Sequence, residues 1–99
     1  MLEMKKCPDR VGGAKVVIFT LIDERHIFAE KCKQIVAGKL MGPMAGLAIC
    51  RYEGETACHL FGCEEEWNPI TDAWHHSLEE AVNQAEFEYQ GTKKTWTTK

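Results

Sequence analysis

The sequence predicts an α+β domain, an antiparallel sheet of about four strands with helices packed on one face. Three observations lead there. Residues 15–22 are dense in β-branched and aromatic side chains, from Val16 to Ile22. Apolar runs at 47–52, 57–63 and 67–74 then follow one another, separated by turn-forming residues. A complete helix signature comes after them, between Ser77 and Gly91. Consecutive strands flanked by helices belong to segregated α+β architectures rather than to alternating α/β ones.

Taken in order, residues 1–13 read as a flexible N-terminal lead-in, since Pro8, Gly12 and Gly13 occur without periodicity. Residues 14–99 form the single domain. Apolar side chains on both faces of 15–22 predict a central strand covered on both sides. Between 24 and 36, Phe28, Cys32, Ile35 and Val36 fit a helical stripe opened by Asp23, so a helix is expected. Gln34-Ile-Val-Ala37 also suits a short strand before Gly38, because period alone does not arbitrate short apolar runs. Leu40 to Gly46, with two glycines and a proline, reads as a loop. The next two strands meet at Glu53-Gly-Glu-Thr56, a hairpin signal. Glu64 to Glu66 form a turn or strand edge. Trp67 to Trp74 make a further strand, edge-placed because Pro69 has no N–H for a ladder.

The last helix is the most explicit element. Ser77 and Glu80 form a capping box, and Leu78, Ala81, Val82, Ala85 and Tyr89 share one stripe at the 3.6-residue period. Gly91 supplies a left-handed stop. Trp96 is expected to pin the tail 93–99 back onto the body.

Composition narrows the function classes. An apolar content of 44 % and a charged content of 27 % are ordinary for a folded domain. The longest apolar run, Val16 to Phe19, is far below the roughly 18–20 residues of a membrane span. Cys7-Pro-Asp-Arg10 stands where an export signal needs an apolar segment. The expectation is a cytoplasmic protein with no membrane partner. Five cysteines cannot all pair within one chain and show no framework of spacings. Residues 1–49 hold eight Lys and Arg against five Asp and Glu, whereas 50–99 hold four against ten. An acidic half argues against a broad phosphate-binding surface, so no nucleic-acid partner is expected.

Four groups of residues carry candidate chemistry. Cys50, Cys58, His59, Cys63, His75 and His76 are potential metal ligands, but neither Cys-x-x-Cys nor His-x-x-x-His occurs. Cys58 and Cys63, five apart on a strand, point to opposite faces. No metal and no cofactor is expected. The same thiols make poor nucleophiles, because they lie on strands and Glu64 to Glu66 follow the last one. The strand–helix junction holds Asp72, His75 and His76, where Asp72 could orient either imidazole for general-base chemistry. The plainer reading has Thr71 and Asp72 satisfying the turn backbone. Finally, Phe87 lies about 180° from Leu78 on the acidic helix face. With Met41, Pro43 and Met44 it is a candidate exposed apolar patch. Trp67, Trp74, Phe61, Tyr52 and Trp96 read as packing residues, since only Arg51 accompanies them as a nucleic-acid stacking platform would need.

Residues 46–91 also carry a resemblance. Gly46-Leu-Ala-Ile-Cys-Arg-Tyr-Glu-Gly54, Leu60-Phe61, Trp67-Asn68, Thr71-Asp-Ala-Trp-His-His-Ser-Leu-Glu-Glu-Ala81 and Gln84-Ala-Glu-Phe-Glu-Tyr89 resemble a group of small uncharacterised bacterial proteins. The resemblance implies a bacterial cytosolic protein of the kind carried on mobile gene cassettes, and it brings no activity, cofactor or catalytic residue. The functional expectation is therefore a small non-enzymatic binding protein that forms a homo-oligomer or docks a protein partner. The alternative is a small-ligand binder or enzyme with its site at 71–77.

Overall fold

A computed structural model describes residues 5–23, 26–28, 34–36, 39–41 and 44–99, with the short strands at 27–28, 34–36 and 39–41 described by backbone only. Among the described residues the main sheet has six strands rather than about four. They are β1 (Arg10–Val11), β2 (Ala14–Leu21), β6 (Gly46–Arg51), β7 (Cys58–Cys63), β8 (Pro69–His75) and β10 (Thr97–Thr98). The order is β1-β2-β6-β7-β8, and β10 pairs with β2 as well. All pairings are antiparallel. Outside the sheet lie β3 (Ile27–Phe28), which pairs with β9 (Tyr89–Gln90), and the hairpin of β4 (Gln34–Val36) with β5 (Lys39–Met41).

The single described helix, α1 (Leu78–Glu88), forms as its signature dictates. Ser77 is extended, and its hydroxyl accepts the N–H of Glu80 at 3.1 Å. The other half of the box is redirected, with the Glu80 carboxylate 3.4 Å from Nδ1 of His75. Ala81 and Ala85 are fully buried in a cluster with Leu47, Ile49, Cys58 and Leu60, against which Leu78, Val82 and Trp96 pack. Gly91 is left-handed, at φ 104°, but it opens a 3-10 turn (Thr92–Lys94) beyond β9 and does not itself end α1. No helix of the described residues is long and apolar enough to cross a membrane.

Three expectations need correction. The helix expected over 24–36 is not formed where the chain is described, since 27–28 and 34–36 are strands. The strand alternative for Gln34-Ile-Val-Ala37 holds over Gln34–Val36, which pairs with Lys39–Met41, so the loop expected over 40–46 begins as strand at Leu40 and Met41. The lead-in 1–13, described from residue 5, is packed rather than loose over 7–11. Arg10 and Val11 extend the sheet, and Cys7 and Val11 are buried with Val16, Phe61 and Trp67.

This second cluster covers the sheet face opposite α1. Trp67 is its keystone. It adopts φ 66°, a backbone region unfavourable for a bulky residue. The indole is 97 % buried, meets Phe19 edge-on at 5.8 Å, and donates its N–H to the carbonyl of Lys5 at 2.6 Å. The turn before it is held by Glu64, whose carboxylate accepts the N–H groups of Glu66 at 2.7 Å and Asn68 at 3.0 Å. Gly62 allows the closest approach in the sheet. A Cβ there would stand 2.7 Å from Cγ of Met44 and closer still to Thr71 Oγ1.

Candidate functional site

Strand β8 carries the residues expected to form a site, and its alternation separates them. Its register sets Asp72 opposite Phe61, Trp74 opposite His59, and His75 opposite Cys58. Paired residues share a face. Asp72 and Trp74 therefore lie on the face away from α1, and His75 lies on the helix side. Asp72 does not orient His75. Its carboxylate instead stands 3.4 Å from Nδ1 of His59. His75 is buried and faces Glu80 at 3.4 Å. His76 meets the ring of Trp74 edge-on at 4.4 Å.

His59 is the residue that sequence reasoning considered only as a metal ligand. Its side chain is 15 % exposed and is enclosed by the edge-on ring of Tyr52 at 5.0 Å and the stacked ring of Phe61 at 6.1 Å. Nε2 lies 3.7 Å from the carboxylate of Glu55. The imidazole thus bridges β8 and the β6–β7 hairpin between two acids. Both ring nitrogens face carboxylates, yet neither makes a hydrogen bond among the described residues, and Nδ1 is buried without a partner. Parity along 72–76 was the available signal: Asp72 and His75 differ by an odd number and cannot share a strand face.

The four described thiols are arranged as core. Cys7, Cys50 and Cys63 belong to the cluster behind Trp67, and Cys58 to the one beneath α1. Burial pushes the Cys50 and Cys63 thiols up to about 12 and Cys7 to about 11. They stay protonated at neutral pH, and a thiol is a far weaker nucleophile than its thiolate. Among the described residues, no three His, Cys, Asp or Glu side chains are grouped to hold a metal ion.

The expected apolar patch divides. Met44 is 91 % buried in the cluster under α1, its N–H donated to the Tyr89 hydroxyl at 2.8 Å, and so belongs to the interior. The Met41 and Pro43 side chains lie outside the described residues. Phe87 is 53 % exposed, as expected. The exposed apolar residues that sequence reasoning missed are Leu21 at the end of β2, 43 % exposed, and two on β8, where Trp74 is 53 % and Ile70 37 % exposed. Among the described residues β8 is also the terminal strand of the sheet. The N–H of Gly62 donates to Thr71 Oγ1, and the neighbouring Cys63 carbonyl accepts from Ala45 on the β6 side. Alternation from these two points turns the main-chain groups of Asp72 and Trp74 toward the open edge. No protein-family model, curated protein or solved structure matches the chain.

Proposed function

We propose that the chain is a small binding protein that self-associates through β8. The observation that carries this reading is the open edge itself, a seven-residue strand with two large apolar side chains exposed beside its outward main-chain groups. Unpaired edges template further strands, and soluble proteins normally cover or blunt them.

The occupant that fits is a second copy of this chain. Two β8 strands run antiparallel about a twofold axis at Ala73 set Asp72 of each opposite Trp74 of the other, with outward main-chain groups meeting in register. The alternative axis at Asp72 opposes two carboxylates and is disfavoured.

Light scattering on the purified chain tests this. A dimer in the micromolar range is expected, and Trp74→Ser should return it to monomer while leaving far-UV circular dichroism unchanged. A monomer at several hundred micromolar, or a dimer indifferent to Trp74→Ser, removes the reading.

A further inference from the structure

At the other side of the sheet, register aligns three cations. Arg10 of β1 is opposite Lys15 of β2, and Lys15 is opposite Arg51 of β6. The three share one face and stand about 4.5–5.5 Å apart at successive Cβ atoms, a spacing at which like charges destabilise strand pairing. Among the described residues no carboxylate reaches ion-pair distance of any of them. Arg10 donates to the carbonyl of Gly13 at 3.4 Å. Arg51 donates to Cys58 Sγ at 3.4 Å, a weak acceptor, and its Nε is buried with no partner. In a chain whose net charge is −3, three uncompensated cations in one row are out of keeping with the whole.

The row lines a surface cavity of about 670 Å³, together with Tyr52, Thr98 and Lys99. That volume is in the range of small-molecule sites. Lys99 is already engaged, by the Cys7 carbonyl at 2.7 Å and Asp9 at 3.4 Å. Glu53 and Glu55 also line the cavity. They repel a long polyanion running past the hairpin, and they leave the Arg10–Lys15–Arg51 row to a compact one.

We propose that this groove binds a small molecule through a diphosphate group. Two consecutive cation spacings span roughly 10 Å, which suits an anion carrying several charges better than a single carboxylate. Guanidinium groups recognise phosphate oxygens by paired, charge-assisted hydrogen bonds. A bound diphosphate offers acceptors to the exposed members of the row, foremost Arg10 and Lys15, and removes the repulsion along it.

Calorimetric titration with sodium pyrophosphate at moderate ionic strength, with sodium sulfate as the control anion, tests the assignment. One-to-one saturable binding is expected, weakened at least tenfold in Lys15→Gln and in Arg51→Gln and unchanged in Lys93→Gln outside the groove. A second readout needs no ligand: Lys15→Gln should raise the melting temperature of the free protein and abolish the rise that pyrophosphate causes. Absence of saturable binding, equal binding of sulfate, or wild-type affinity in both variants overturns the proposal. Tighter binding of a single-stranded oligonucleotide overturns the compact-ligand assignment. None of these residues lies on β8, so the outcome is separable from that of the oligomer measurement.

Discussion

The two faces of the sheet are closed by different means. On one, a regular helix lays Ala81 and Ala85 over Ile49 and Leu60. Small residues at the contact let the helix sit close, and its ends are held by its own side chains: Ser77 accepts the Glu80 N–H, and the Glu86 carboxylate accepts those of Gly91 at 2.9 Å and Lys93 at 3.1 Å. On the other face the cover is irregular. Residues 5–11 and Trp67 close it through one indole, one strained backbone position and a hydrogen bond across 62 residues of sequence. The first cover is assembled from many local terms, each small. The second leans on one large side chain, with ties of Lys5, Cys7 and Asp9 to Glu65, Lys99 and Val16 at its margin.

That contrast can be broken most directly at Trp67. Trp67→Ala should cost about 3–5 kcal/mol, the range for removing a buried aromatic, and should release residues 5–9 to rapid amide exchange. If those amides stay protected, the N-terminal cover does not depend on the indole. Ser77→Ala tests the distributed cover and should cost about 1 kcal/mol, measured in a denaturant titration. Equal losses at the two positions would erase the distinction drawn between the faces. The smallest effect is that of pH on the helix end. The backbone N–H of Gly91, and behind it that of Lys93, hold the Glu86 carboxyl below its ordinary 4.5. A depressed folded-state pKa means that the contribution is complete above the ordinary value and is lost as pH falls through the folded one. Stability of Glu86→Gln should therefore vary less with pH below about 4.5 than that of the parent. Identical acid profiles would show that the carboxylate does not anchor the 3-10 turn.

The parts of the fold legible in sequence are those specified locally. The α1 stripe and cap, the hairpin at 53–56 and the edge position marked by Pro69 each depend on residues a few places apart, and each is present. The segment 27–36 was not legible, because its apolar residues satisfy a helical stripe as well as a strand and the choice is made by pairing with β9 and β5. Residues 1–13 read as a loose lead-in because Pro8, Gly12 and Gly13 interrupt any period, and the partners that bury Cys7 and Val11 are distant in sequence. At the junction, the chemistry-bearing residues were found but mispaired. Asp72 belongs with His59, which only the β7–β8 register brings near. The basic row was out of reach for the same reason, since Arg10, Lys15 and Arg51 become neighbours only across three strands.

One pairing described earlier bears on how β2 is held. Strand β2 is bordered along one side by β6 and along the other by both β1, at Ala14 and Lys15, and β10, at Ile18 and Phe19. One half of that flank is thus a contact local in sequence, whereas the other joins residues roughly 80 positions apart and costs far more loop-closure entropy to form. The β10 half is therefore the slower to zip and the first to fray, which puts the earliest breathing of the sheet beside Ile18 and Phe19.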